Sequence, residues 1–329
     1  MPGENTPFEA LWVDRPNAVE VLQQKLANKS VTEETAAGLA HLIKNGWTVI
    51  PKLISAAEAD ALSSEIDSVV DRAEYFISRR QREAYAHPTP AVYDDPTMRI
   101  IDYHVNSGLA QQAIFKQRVA DILHAAFEDD LNAFQCLTFH YGSQQSMHQD
   151  GAYVVVSKPL QFMASWIALE DVTPGSGELT YYTGSHRLDD FLFGSGSKSW
   201  RPAEHGKEIH REFLDSLITR SEAAGFPRDT FLPRKGDALI WASDLVHGGA
   251  AITNNHTRRS LVTHYCPASV LPNFSTFTEY YHHLPISPGC GISSRHYDLR
   301  PQDKTPFVKR IFSRSRPTPR LHKPAFMGS

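Results

Sequence analysis

Two histidines and one aspartate carry the chemistry this sequence offers. His148 and Asp150 flank Gln149 in His148-Gln149-Asp150-Gly151. In an extended strand, alternate residues point to one face, so this spacing predicts an imidazole and a carboxylate side by side. His247 follows far downstream, in the stretch from Gly236-Asp237 through Trp241 to His247-Gly248-Gly249. Two imidazoles and one carboxylate on one face of an octahedral ion leave the other face open. That donor set suits non-haem ferrous iron with small molecules in the remaining positions.

The elements that must position these groups read as strands. From Asn132 onward, strand-like runs cover 134–141, 153–156, 163–169, 178–182, 238–241 and 259–265, most of them separated by Gly, Pro, Ser and Asn clusters. Short strands with turn chemistry between them predict an antiparallel sandwich or barrel. Helices precede it. Thr32 is a candidate N-cap for a helix ending at Asn45-Gly46, and Ser55-Ala56-Ala57-Glu58 is a capping box. A single amphipathic helix is predicted over 111–127. Arg79 to Arg82 reads as a solvated helix face. The excursion 188–233, with a helix near 210–224, is of the length that forms a lid or binding wall. After Pro267 the strand signal fades.

Bulk properties narrow the function classes. The 329 residues carry a formal net charge of −4, which points to neither nucleic acid nor a membrane surface as the partner. Three cysteines, Cys136, Cys266 and Cys290, show no CxxC spacing, so neither a disulfide framework nor a zinc knuckle is expected, and a reducing cytoplasm fits. No basic n-region with an apolar run opens the chain, and no apolar stretch is long enough to span a bilayer. The basic end, 304–329, reads as a surface-draped tail.

The segment from His148 to Arg187, with Trp166, the turn Thr173-Pro174-Gly175-Ser176-Gly177 and Gly184-Ser185-His186-Arg187, resembles the phytanoyl-CoA dioxygenase family. Lys235-Gly236-Asp237 through His247 and Arg258 extend the resemblance, which covers residues 38 to 268. It implies a mainly β fold with flanking helices around a double-stranded β-helix of the jelly-roll or cupin type. The chain then reads as one oxygenase domain. Residues 1–130 form a helical buttress with the first strands, 131–268 a barrel core interrupted at 188–233, and 269–329 a C-terminal lid and tail.

The resemblance also implies Fe(II) held by His148, Asp150 and His247, with 2-oxoglutarate and O2 as cosubstrates. It assigns Arg258 to the far carboxylate of 2-oxoglutarate, a task suited to a forked guanidinium. Ser260, expected on the same strand face, supplies a second donor. Trp166 matches a tryptophan beside the cosubstrate, though plain core packing explains it as well. Gln145 is placed to bond a ligand at the strand mouth or to stabilise the turn. Gly249 departs from members that carry a hydroxyl there. His186 and Arg259 read as structural.

The implied reaction is hydroxylation of an unactivated C–H bond in a small metabolite or biosynthetic intermediate, with succinate and CO2 released. Asp150 argues against halogenation, because halogenating relatives have a small residue at that position. Desaturation or rearrangement remains an alternative. So does an O2-independent cupin-like metal isomerase or epimerase, although the HxH pattern of cupins is absent. A binding module without catalysis is disfavoured, since no ligand position is lost. Arg187, Lys198, Trp200, Arg201, His205, Arg295, His296 and Tyr297 are candidate pocket-wall residues. Substrate identity and oligomeric state are not readable.

Overall fold

A computed structural model describes residues 6–80, 83–272, 282–300 and 321–325. Eight α-helices are described: α1 (Ala18–Ala27), α2 (Glu33–Asn45), α3 (Ala56–Asp67), α4 (Ala91–Asp94), α5 (Gly108–Ile114), α6 (Gln117–Phe127), α7 (Pro202–His205) and α8 (Glu208–Ala223). The strands are β1 (Trp47–Ile50), β2 (Ile77–Arg80), β3 (Met98–Ile101), β4 (Leu131–Phe139), β5 (Met163–Ala168), β6 (Leu179–Tyr182), β7 (Arg228–Phe231), β8 (Ala238–Ala242), β9 (His247–Gly249), β10 (Ser260–Pro267), β11 (Leu284–Ser287) and β12 (Cys290–Ile292).

The helix signals act as read. Thr32 Oγ1 accepts from Thr35 N at 3.1 Å, Gly46 closes α2 in the left-handed conformation, and the Ser55/Glu58 box opens α3. The helix expected over 111–127 is instead two. Phe115 leaves helical geometry and Lys116 turns extended, at φ −53° and ψ 139°, before α6 begins.

The large sheet runs β1-β8-β5-β10-β4-β12-β11, with β3 also on β4 and β2 on β3; the small sheet runs β7-β6-β9. All described pairings are antiparallel except β12 on β4. One face of the large sheet, with Met163, Ile167, Leu261, Tyr265 and Ile240, packs on the helices. The opposite face, with Trp166, Val262, Leu239 and Trp241, meets Leu179, Tyr181 and Phe231 of the small sheet. β5 is therefore buried at every residue. The architecture is mainly β with flanking helices, two facing sheets of a double-stranded β-helix.

Three other local expectations fail. Residues 153–156 form no strand; a 3-10 turn at Asp150–Ala152 precedes them, and only Val156 makes an isolated bridge. Arg79 and Arg80 lie on β2, an edge strand, rather than on a helix face. Beyond Pro267, β11 and β12 add two strands. The expected tail falls mostly outside the described residues, as do residues 273–281 of the expected C-terminal lid.

Candidate metal and cosubstrate site

His148 and His247 face each other across two backbone hydrogen bonds. His148 N donates to His247 O at 2.8 Å, and His247 N donates to His148 O at 2.9 Å. Each ring is then fixed by the carbonyl two residues before it. His148 Nδ1 lies 2.8 Å from Ser146 O, and His247 Nδ1 lies 2.9 Å from Leu245 O. Carbonyl oxygens only accept, so in the neutral rings Nδ1 carries the proton and Nε2 the lone pair. This is how histidine ligands are oriented by their surroundings before metal arrives.

Asp150 reaches the same point from the 3-10 turn, not from a strand shared with His148. Its Oδ1 lies 3.5 Å from His148 Nε2 and 3.6 Å from His247 Nε2. All three ligand atoms lie within 4.8 Å of one another, and the residues are 5%, 6% and 6% exposed. Burial pushes the Asp150 carboxyl up, but the facing His247, His148 and His264 outweigh it and hold it well below the usual range. Burial pushes His247 down to about 4, with Asp150 opposing. The second carboxylate oxygen, Oδ2, accepts from Trp241 Nε1 at 2.9 Å and lies 3.3 Å from His264 Nε2.

The neighbouring motif residues brace this arrangement. Ser185 Oγ accepts from Val246 N at 2.9 Å, beside His247, and Gln149 Nε2 donates to Asp244 O at 2.7 Å. His186 packs beneath Gly46, with Nε2 3.3 Å from Ile43 O. A Cβ at Gly249 would lie 2.8 Å from Gln144 N and Ser143 Oγ, so a hydroxyl side chain does not fit where this chain carries glycine. Gln145 Nε2 lies 3.0 Å from His148 Nε2, at the edge of the site.

Arg258 and Ser260 both point inward but share no strand, since β10 begins at Ser260. Arg258 is 3% exposed; its Nη1 donates to Gly177 O at 2.8 Å, and the guanidinium lies 5.5 Å from the Trp166 ring and 5.9 Å from Phe139. Arg258 Nε, Ser260 Oγ and Trp166 Nε1 are buried without a hydrogen-bond partner among the described residues. Burial lowers Arg258 to about 10; Glu178 opposes this and Arg99 reinforces it. Arg99 was missed in the sequence. It pairs with Phe139 in register, lies 5.1 Å over that ring, and its Nε is also buried with no partner among the described residues. Strand alternation from the buried Ile101 was the available signal.

The insertion packs Phe193, Phe213 and Leu217 against Met147, Ala152 and Val246, beside the ligand segments. Buried Lys198 pairs with Asp190 and, at 2.7 Å, with Asp244. Trp200 stacks on His210 at 3.9 Å, and His210 Nε2 lies 2.7 Å from Tyr153 OH; the Tyr153 ring is 5.6 Å from His148. Of the other expected wall residues, His296 is buried on Asp102 at 2.8 Å and Tyr297 is fully buried, so both are structural. Arg295 bonds Tyr85, Arg187 bonds Ile43 O, Arg201 pairs with Glu204, and His205 stacks on Phe193. Arg259 makes the expected surface pair with Asp67.

The family model for phytanoyl-CoA dioxygenase (PhyH) matches residues 42–260. Solved structures share the fold. The non-heme alpha-ketoglutarate-dependent epimerase SnoN from nogalamycin biosynthesis is similar at TM-score 0.54 and 18% identity, covering 78% of this chain and 85% of that one. The carbocyclase SnoK from the same biosynthesis is similar at 0.51 and 17%, covering 74% and 86%. EctD from S. alaskensis, in its apoform, is similar at 0.52 and 16%, covering 82% and 84%. No curated protein gives a significant sequence match.

Proposed function

This chain belongs to the phytanoyl-CoA dioxygenase family, and on that footing we propose that it is an Fe(II)- and 2-oxoglutarate-dependent oxygenase acting on a small-molecule substrate. His148, Asp150 and His247 hold the iron, and Arg258 anchors the cosubstrate. The observation that carries the reading is the convergence of two imidazole lone pairs and one ionised carboxylate oxygen, with both ring tautomers set by backbone carbonyls. A mixed nitrogen and oxygen donor set with one side left open fits Fe(II). When bound there, iron supplies the activation of O2 that, with oxidative loss of CO2 from 2-oxoglutarate, permits attack on an unactivated C–H bond.

The remaining roles fall to the protein's own groups. The Arg258 guanidinium, enclosed by Trp166 and Phe139, binds the far carboxylate of 2-oxoglutarate, where a charge-assisted bond is strong because water is excluded. Ser260 donates beside it, and Arg99 adds a second positive charge. Gln145 borders the open side of the ligand set. Tyr153, His210 and Trp200 wall the approach to His148 and orient the substrate. The reaction read here is hydroxylation, with succinate and CO2 as coproducts.

Anaerobic addition of Fe(II) and then 2-oxoglutarate tests the proposal. A visible charge-transfer band is expected in the parent and absent from His148→Ala. No band in the parent, or the same band in both, sinks it. A substrate panel scored by succinate release and O2 uptake follows; turnover without O2 uptake would favour an isomerase. SnoN and SnoK, which share the fold, are an epimerase and a carbocyclase. Inversion or ring closure with the same cofactors is therefore the second reading, and product analysis separates it from hydroxylation.

A further inference from the structure

Asp150 is held in a different way from its two histidine neighbours. His148 and His247 are oriented by backbone carbonyls of their own segments. Asp150 is oriented by side chains of the large sheet. Trp241 on β8 and His264 on β10 stand on either side of Ala164 on β5, in direct register with it. Both reach the same oxygen, Oδ2, at 2.9 and 3.3 Å, while Oδ1 faces the Nε2 atoms of His148 and His247. Ala164, between them, carries no atom beyond Cβ.

His264 has little other reason for its place. It is 4% exposed, and its ring is enclosed by Phe134, Phe162 and Trp241 at centroid distances of 6.2, 6.1 and 6.5 Å. Its Nδ1 is buried with no hydrogen-bond partner among the described residues. A polar ring in an aromatic wall is costly to bury unless a contact offsets it. The contact present is to Asp150.

We infer that Trp241 and His264 are positioning residues that fix Asp150 as a one-oxygen ligand. This rests on the iron-site reading above. With Oδ2 occupied by two donors, the carboxylate presents Oδ1 and cannot chelate through both oxygens. One more coordination position then stays open than a two-oxygen carboxylate would leave. Neither residue touches substrate or cosubstrate in this proposal; both act through Asp150.

The test uses Co(II) as an O2-stable probe on the full chain, read by titration calorimetry and by the visible d–d spectrum, with thermal unfolding of the metal-free protein as the fold control. Trp241→Phe keeps the ring and removes the donor. His264→Leu removes the second donor, and His264→Gln restores one. Trp241→Phe and His264→Leu are expected to weaken Co(II) binding roughly 10–100-fold and to change the d–d band shape, with metal-free Tm close to the parent. His264→Gln should recover most of the affinity and the parent spectrum. Parent-like affinity and spectra in Trp241→Phe and His264→Leu overturn the positioning role and leave the iron site intact. If the parent itself binds no Co(II), the iron-site reading falls and this inference with it. Should His264→Leu fail to fold, Trp241→Phe and His264→Gln decide the matter by the same criteria.

Discussion

The two ends of the barrel interior are built on opposite principles. At one end, the row Trp241, Ala164 and His264 meets Asp150, whose Oδ2 finds both its partners on that row. At the other, Arg99, Phe139 and Ser260 form a row beside Arg258. There, Arg99 Nε, Arg258 Nε, Ser260 Oγ and the nearby Trp166 Nε1 are buried with no partner among the described residues. Ser260 and His264 lie on one strand face about 13 Å apart. The difference teaches which end is finished by the fold and which awaits a ligand. On the proposed reading, buried Arg258 and half-buried Arg99 receive an anion, and His148, Asp150 and His247 receive a cation.

The sharpest way to break this contrast is to remove one ligand. Asp150→Ala or His247→Ala should abolish Co(II) binding by calorimetry while leaving metal-free unfolding near the parent's; retained stoichiometric binding would mean that the end was misassigned. Next in size, Arg258→Met should weaken 2-oxoglutarate binding to the metal-loaded protein by about 2–4 kcal/mol, because the cosubstrate carboxylate is left in an apolar enclosure. Co(II) affinity should stay within about twofold, a small fraction of the tenfold that 1.4 kcal/mol represents. Equal losses of both ligands would erase the distinction.

Acid separates the ends as well. His247 is about 4 in the fold against 6.5 as its ordinary value. The unfolded chain therefore takes the proton first as pH falls through 6.5, and stability is lost progressively down to about 4. The loss attributable to this group is at most on the order of 3 kcal/mol. Urea unfolding of the metal-free protein across that window should show it, and His247→Gln should flatten the curve. Arg258, lowered only to about 10, does not titrate there. The smallest effect concerns the unfinished end alone. In the absence of ligand, Arg258→Met should stabilise the protein by about 1 kcal/mol, since a buried charge only partly compensated by Glu178 is removed. Destabilisation would show that its single bond to Gly177 O already satisfies it.

Residue types at the metal end were legible from the sequence; their geometry was not. The alternation rule placed His148 and Asp150 on one strand face. In the structure His148 bridges to His247, and Asp150 comes round on a 3-10 turn. Convergence came from a long-range pairing that no local pattern encodes. Trp241 was read only as part of a motif and His264 was not singled out, because an indole and an imidazole in a buried strand look like packing. Arg99 was masked by its setting in Met98-Arg99-Ile100-Ile101, a strand whose later residues are buried on both faces. The helix break at Phe115-Lys116 went unseen because apolar spacing continues across it, with Val119, Ile122 and Leu123 all buried. β11 and β12, with Pro285, Gly289 and Gly291 in and between them, lack the β-branched run that marks a strand. The capped starts of α2 and α3 and the Gly46 end of α2, whose signals are local, were readable.

Lys198 ties the insertion to the segment that carries His247. Its side chain is 3% exposed, and its ammonium is shared by Asp190, inside the insertion, and Asp244, three positions before His247. The two pieces therefore behave as one mechanical part. Anyone grafting a different loop onto this scaffold must carry the lysine and both aspartates together, or replace all three with apolar residues of matching volume; moving one or two strands a charge beside the segment that carries His247.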